Sequence, residues 1–542
     1  MEIDLVIKNY RCFQKPARIV LRRGFSAFVG VNNSGKSSLL KFFYEFRNLF
    51  AMLSDRGLVE ALWDKRPSVN LVGVKDNKEV FNDSNTRDIE IELWFNSDSV
   101  VHQPVPSHLV VTVFRNTLHW TANLYYRADS SSTTEKLIRY DVPDDPSTQS
   151  LQFETATTLL YRGNTRIDFA DVFPLLRAFA NTLYIGPFRN IINVGTKEDY
   201  FDIKVGQSFI QNWRKFKSGY VKEQAAAIIK LTEDIERIFE YDRLEINPSD
   251  EDTTLQLIIN QKPYKLSELG SGIAQFIVVL ANAALRRPAF ILLDEPELNL
   301  HPSLQLDFLT TLASYASDGI LYATHSIGLA RSNAERIYSV RKIAEGDSEV
   351  RDYEATPNLA QFVGELSFSS YQELGFNKIL LVEGRSEVKT IQQFLRLWKK
   401  DHQIVLIPLG GATLINGSSE LELRELNRIS TNISALIDSE RVFQDAPLAA
   451  NITAFVASCV KLGINVSVLE RRAIENYFTD AAVKNVLGSG YRALAPYEKL
   501  NEVSPSWSKP ENWRIAREML IADLEATDLG AFLERLCADP AV

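Results

Sequence analysis

The sequence predicts an α/β protein of more than one domain, and three observations carry that expectation. Near the N-terminus the run FSAFVG leads through a glycine-bounded loop into SSLLKFFYEFRNLF, the pattern of a strand, a tight loop and a helix. Far downstream, Phe290-Ile291-Leu292-Leu293-Asp294-Glu295 reads as a buried strand closing on two carboxylates. From about residue 376 strands and helices alternate (KILLVEG, IVLIPLGG, SALID, NVSVLE), which argues for a parallel sheet with helices on both faces. The 542 residues, 45% hydrophobic and 24% charged, supply several cores.

Taken in order, IDLVIKNY, ARIVL and FSAFVG are strands, and residues 88–175 stay strand-rich through IEIELWF, LVVTVF, LHWTANLYY and KLIRYDV. The polar stretches DSSSTTEK and DVPDDPSTQS between them read as exposed loops. VKEQAAAIIKLTEDIERIFE is strongly amphipathic and marks a helical stretch over about 207–240. TLQLIIN, the apolar helix GIAQFIVVLANAAL, and the strands FILLDE and GILYATH close a first unit. The expected organisation is one unit in two parts, 1–200 and 246–345, with helices inserted at 201–245. A linker at 346–375, a second unit at 376–480 and a helical C-terminal part at 481–542 follow. There is no internal repeat, and the helices near 207–240 are too short for a coiled-coil arm.

Composition removes some function classes. Sixty Lys and Arg against 69 Asp and Glu give a net charge of −9, so a whole-chain basic footprint for nucleic acid is absent, while a local groove stays open. Cys12, Cys459 and Cys537 are distant and odd in number, which fits a reducing compartment and excludes a disulfide framework or zinc knuckle. No long apolar run and no apolar signal core in MEIDLVIKNYRCF lead to the expectation of a cytoplasmic protein without a membrane partner. Lys204, Arg214, Lys215, Lys217 and Lys222 are interleaved with Phe209, Trp213, Phe216 and Tyr220. A DNA groove with stacking aromatics is one reading. The helical spacing of the aromatics favours packing or dimerisation over it.

Gly30-Val31-Asn32-Asn33-Ser34-Gly35-Lys36-Ser37 fits G-x-x-x-x-G-K-[ST] between a strand and a helix. The loop turns backbone N–H groups inward onto phosphate, with Asn32, Asn33, Gly35, Lys36, Ser37 and Ser38 as the expected contacts for ATP. Lys36 reaches the terminal phosphates and Ser37 offers a hydroxyl to Mg²⁺. Asp294 is expected in the metal's shell and Glu295 as the group that polarises the attacking water. His325, after the next apolar strand, is placed to contact a γ-phosphate. Ser271 and Gly272 open a helix and present a hydroxyl and free N–H groups to phosphate.

This set, with LLDEPELNLHP, resembles the ABC-type ATPase heads of recombination and repair proteins. The resemblance implies a nucleotide-bridged homodimer with Ser271 acting in trans, and it points to Arg189, in YIGPFR, as a nucleotide-sensing residue.

In the second unit, Leu381-Val382-Glu383-Gly384-Arg385-Ser386-Glu387 places two carboxylates at a strand–helix junction. Leu436-Ile437-Asp438-Ser439-Glu440 ends another strand, and an extended segment would set Asp438 and Glu440 on one side. Four convergent acids call for a divalent cation with oxygen ligands. The E-G-x-x-E junction, the Gly410-Gly411 turn and the D-x-E strand end resemble the Toprim fold, whose usual D-x-D is here Asp438-Ser439-Glu440. Such domains cut or join nucleic-acid backbones with Mg²⁺ or Mn²⁺.

An ABC-type head followed by a Toprim domain resembles the OLD family of nucleases over most of the chain. That resemblance implies Glu475, in RAIENY, as a further metal ligand, and Lys509, in WSKP, as a catalytic lysine that neutralises the scissile phosphate. It also implies anti-phage defence, with a possible partner defence protein or reverse transcriptase and its nucleic acid. The expectation is therefore an ATP-regulated, metal-dependent DNA endonuclease. The rival is an ATP-switched DNA-binding scaffold, or a repair ATPase, with a weak or inactive Toprim domain. A transporter ATPase leaves the second unit without a purpose.

Overall fold

The computed structural model describes residues 2–63, 65–96, 104–129, 134–138, 151–161, 165–187, 200–297, 300, 302–344, 347–353, 378–409, 423 and 432–538. Arg189, the Gly410-Gly411 pair and most of the expected linker lie outside them.

The first unit is organised by a six-stranded sheet in the order Thr182–Ile185, Phe290–Asp294, Gly319–Thr324, Gly24–Val29, Arg336–Ala344, Asp347–Asp352. The first five run parallel and the last pairs antiparallel. Phe290–Asp294 and Gly319–Thr324 are buried along their whole length, as expected of parallel strands covered on both faces. The strand Gly319–Thr324 separates the P-loop strand from the strand ending in Asp294. Its register sets Thr324 beside Val29 and Ala323 beside Asp294, so three functional strand ends finish at one edge.

An antiparallel sheet packs beside it in the order Ala17–Leu21, Glu2–Lys8, Ile89–Asn96, Val105–Val113, Trp120–Arg127, Glu135–Leu137. Its alternation turns Ile3, Leu5, Ile91, Leu93, Leu109 and Val111 inward, where they share a core with Leu39, Phe42 and Phe43 of the helix Lys36–Glu45. That helix is shorter than the apolar run predicts. It breaks at Phe46, and a second helix takes Arg47–Leu53.

The helices Gly206–Ser218 and Lys222–Phe239 belong to the core of the first unit. Phe209 and Trp213 are buried with Phe25, Ile235 and Phe276, and Trp213 Nε1 donates to Ile246 O at 3.3 Å. Two of the interleaved cations are held within the chain: Arg214 by Asp252 at 2.8 Å, and Lys217 by Ile246 O and Asn247 Oδ1, each at 2.6 Å. Packing therefore accounts for Phe209 and Trp213, whereas Tyr220 is fully exposed.

The second unit holds a four-stranded, all-parallel sheet in the order Ile404–Pro408, Lys378–Val382, Ile433–Ile437, Asn465–Val468. The chain passes from the second strand of that row to the first, then crosses to the third. The carboxyl ends of Lys378–Val382 and Ile433–Ile437 thus flank a topological switch point, where open α/β sheets carry their ligand crevice. Helix Arg385–Leu397 docks this unit on the first. Arg396, 4% exposed, pairs with Asp307, which also accepts from Gln392. Arg517 pairs with Asp234 at 2.6 Å, and Tyr315 donates to the same carboxylate at 2.6 Å. Removing one partner of such buried pairs costs about 3–5 kcal/mol.

Candidate functional site

At the first sheet's edge the loop geometry requires its glycines. A Cβ on Gly30 would stand 2.2 Å from Val340 O, and Gly35 has φ 104° with Cys12 Sγ 2.6 Å from where its Cβ would be. Lys36 is buried at the helix start, and its Nζ donates to Gly30 O at 2.9 Å and Val31 O at 3.0 Å, 3.3 Å from His325 Nε2. Burial lowers its pKa, against the pull of Asp294, Glu295 and Glu297. Such a lysine is held in wait for anionic oxygen. Asn32 and Asn33 are exposed at the loop tip, while Ser38 faces the Cys12 thiol.

Asp294 is 1% exposed, and neither carboxylate oxygen has a hydrogen-bond partner. Its pKa is pushed up to about 6, first by burial and then by Glu295, with Ser37, Lys36 and Lys41 opposing. Ser37 is thus close enough to be felt without completing a hydrogen bond. Ser34 Oγ, Glu297 Oε2 and Tyr184 Oη are also buried without partners. Orphaned donors and acceptors of this kind call for a ligand. Two acids beside a hydroxyl and a phosphate-cradling loop fit ATP with a divalent cation, held by Ser37 and Asp294.

Glu295 takes φ 55°, leaving the strand as its N–H donates to Ala323 O at 2.9 Å. Its Oε1 lies 3.4 Å from His325 Nε2. The His325 backbone N–H donates to Glu297 Oε1 at 2.7 Å. Tyr184, which opens the YIGPFR segment, is a member of this site, and so is Glu297, whose signal in the sequence is the third acid of DEPE. Gly272 lies in the helix Ser271–Arg286, and the Ser271 side chain lies outside the described residues. A Cβ on Gly270 would meet nothing within 4 Å, so this helix start opens onto free space.

At the second sheet, Glu383 follows Val382 and Asp438 follows Ile437, one on each side of the switch point. Glu387 sits on the first turn of helix Arg385–Leu397, 7% exposed. Glu475, 2% exposed, comes from a short helical turn at Ile474–Tyr477. Lys509 reaches in from the C-terminal part, with Nζ 3.3 Å from Glu475 and 3.8 Å from Glu387.

The acids feel one another. Burial, then Glu387, pushes Glu383 up to about 7, with Glu440 and Glu475 adding and Lys509 opposing. Asp438 is raised well above the carboxylate range by burial, then by Glu387, Glu475 and Glu383. Lys509 is raised although its burial works the other way, because Glu475, Glu387 and Asp438 hold its charge.

A relay fixes Glu475: Trp507 Nε1 donates to Asn512 Oδ1 at 3.0 Å, and Asn512 Nδ2 donates to Glu475 Oε1 at 3.0 Å. Asp438 Oδ1 accepts from the Ile474 N–H at 3.2 Å. A cleft of about 430 Å³ opens beside Glu475 and Lys509, with Glu440, Arg472, Lys499 and Trp507 in its wall.

Glu440 departs from the extended spacing expected of it. It takes φ 55° beyond the strand's end at Ile437 and its carboxylate pairs with Arg472, so Asp438 and Glu440 do not share one side of a continuing strand. Among the described residues, no group of three or more His, Cys, Asp or Glu side chains is already gathered as a metal site. The donor set still suits a hard divalent cation: several buried carboxylates face a single ammonium.

The sheet order, the P-loop geometry and the unpartnered carboxylate at the adjacent strand end define a P-loop ATPase. The sequence matches the AAA ATPase domain family over residues 1–172 and 180–330, more than half of the chain. The protein belongs to that family. No curated protein matches it.

Among solved structures, the SMC head domain from Thermotoga maritima is 15% identical with a TM-score of 0.31, over 66% of this chain and 100% of that one. The Smc head domain with an extended coiled coil bound to the C-terminal domain of ScpA, from Pyrococcus furiosus, is 11% identical with a TM-score of 0.33, over 65% and 97%. No helix among the described residues is long and apolar enough to cross a membrane.

Proposed function

We propose that this ATPase is an ATP-regulated, metal-dependent DNA endonuclease with a Toprim-type second domain. The observation that carries the reading is the acid cluster of Glu383, Glu387, Asp438 and Glu475 at the switch point, with Lys509 among them. Glu383, Glu387, Asp438 and Glu475 would hold Mg²⁺ or Mn²⁺, which when bound supplies Lewis acidity toward a phosphodiester and its attacking water. Lys509 offsets charge on the scissile phosphate, and Trp507 and Asn512 aim Glu475. In the ATPase half, Lys36 meets the terminal phosphates, Glu295 orients water, and His325 reports the γ-phosphate to the helix that follows it. The reading includes a homodimer with Ser271 acting across it, and work in anti-phage defence beside a partner protein.

The Glu440–Arg472 pair favours one rival, an ATP-switched DNA-binding scaffold whose acid site cuts weakly or not at all. Supercoiled plasmid incubated with Mg²⁺ or Mn²⁺, with and without ATP, separates the two. Metal-dependent nicking by the wild type that disappears in Glu383→Ala is expected. Nicking that survives Glu383→Ala would sink the assignment, and absence of nicking in every condition would favour the scaffold.

A further inference from the structure

Between the two sites stands a short, hydrogen-bonded connection. Directly after His325, Ser326 caps the helix Ile327–Asn333, its Oγ accepting from the Leu329 N–H at 3.1 Å. Asn333 at the other end is fully buried, and its Oδ1 accepts from the Tyr322 hydroxyl of the adjacent strand. Seven residues at 1.5 Å each make a rod of about 10 Å. It is held at both ends by these hydrogen bonds.

Its far end touches the acid-bearing helix. Arg385 Nη1 donates to Ala334 O at 2.7 Å, and Lys389, 1% exposed, pairs with Glu335. The Glu335 carboxylate also accepts from the Phe25 N–H at the start of the P-loop strand, and the Glu335 N–H donates back to Phe25 O at 3.0 Å. Lys389 Nζ lies 4.1 Å from the centre of the Phe25 ring. One carboxylate therefore joins the P-loop strand, the helix after His325 and the helix Arg385–Leu397. The last of these begins one residue after Gly384 and carries Glu387, so Arg385 stands two residues from Glu383.

We infer that nucleotide state reaches the acid site within a single chain, through the helix Ile327–Asn333 and the Glu335–Lys389 and Ala334–Arg385 contacts. For its effect on cutting, the inference rests on the nuclease reading. Glu335, Arg385 and Lys389 are positioning residues: each touches a structural neighbour, and their role is to transmit a displacement at His325 to Glu383 and Glu387. The route needs no change in the distance between two heads, so a monomer would retain it.

Two readouts on the full-length protein test this. Hydrogen exchange of residues 385–397 is measured with and without a non-hydrolysable ATP analogue and Mg²⁺, and plasmid nicking is measured with and without ATP. The proteins compared are the wild type, Arg385→Met and the double variant Glu335→Gln with Lys389→Met. In the wild type, nucleotide should alter exchange in 385–397. In both variants that alteration should vanish while nucleotide affinity and ATP-free nicking persist. The effect of ATP on nicking should fall from the roughly 5- to 150-fold of coupled sites to below about twofold.

Arg385→Met strands no buried charge, so it keeps the test alive if the double variant fails to fold. Wild-type exchange that ignores nucleotide, or a folded variant with the full ATP response, would overturn the inference. A wild type that never nicks, yet shows nucleotide-dependent exchange lost in Arg385→Met, would leave the route standing and remove the nuclease reading alone.

Discussion

At the end of one parallel sheet, burial drives Lys36 toward neutrality. At the end of the other, burial and mutual repulsion drive Glu383 and Asp438 toward neutrality, while Glu475, Glu387 and Asp438 hold Lys509 charged against its burial. Both sites place a lysine among carboxylates at strand ends, and the sign of the strain differs. In the first, the cation lacks a partner of opposite charge close enough to offset its burial; its nearest acceptors are two backbone carbonyls. In the second, the acids outnumber the cation. The first arrangement suits an anion at Lys36 together with a cation at Asp294, and the second suits cations, so the balance of charge at each site describes the ligand that fits it.

The comparison can be broken most forcefully at the groups assigned to chemistry. Glu295→Gln should slow ATP hydrolysis by about 10²- to 10⁴-fold with ATP binding retained. A wild-type turnover rate would remove Glu295 as the base. Lys509→Met should reduce plasmid nicking by about 10²- to 10³-fold and leave ATP hydrolysis in place, since its charge faces the second site only. Loss of both activities would show the two sites to be one. Asn512→Leu leaves Glu475 unaimed and should cost about 10- to 100-fold in nicking, with a matching fall in metal affinity measured by titration.

The smallest expected effect concerns pH. Glu383 has a raised pKa of about 7, so the unfolded chain gives up its proton first as pH rises. Below the ordinary glutamate value both states hold the proton and the full stability is present. It is lost as pH climbs from there to about 7. In metal-free buffer Glu383→Gln should abolish this loss, worth about 1–2 kcal/mol once solvent screening is allowed for. Denaturant melts of wild type and variant across that window measure it, and parallel pH profiles would contradict the assignment.

The two sites also differ in how far the sequence discloses them. The P-loop is contiguous: loop, lysine and hydroxyl lie within a few positions because one strand–loop–helix turn must present them together. Asp294 and Glu295 end an apolar run, which marks them locally. Glu383, Glu387 and Asp438 are legible for the same reason. Glu475 and Lys509 are not, because they approach from segments whose local pattern is ordinary, and only resemblance singled them out.

Asn512 was missed altogether. An asparagine at a helix start reads as a cap, and nothing near it says that its amide faces a carboxylate 37 positions away. Glu440 shows the opposite failure, where a spacing rule for strands was carried past the residue at which the strand ends. The Glu335–Lys389 contact has no sequence signal, because neither a glutamate after a short helix nor a lysine within one is unusual.

One contact has a consequence for how the protein is made. Trp513 packs edge-on against Phe25, their ring centres 6.2 Å apart, and Arg517 joins Arg237 and Tyr315 on the Asp234 carboxylate. Chains emerge from the ribosome N-terminus first and fold by domains as they do so. The ATPase half of this protein therefore waits, with Phe25 lacking Trp513 and Asp234 short of Arg517, until the strands of the second unit and the segment that follows them have been synthesised. Its completion and the delivery of Lys509 to the acid site depend on the same short segment, residues 509–517.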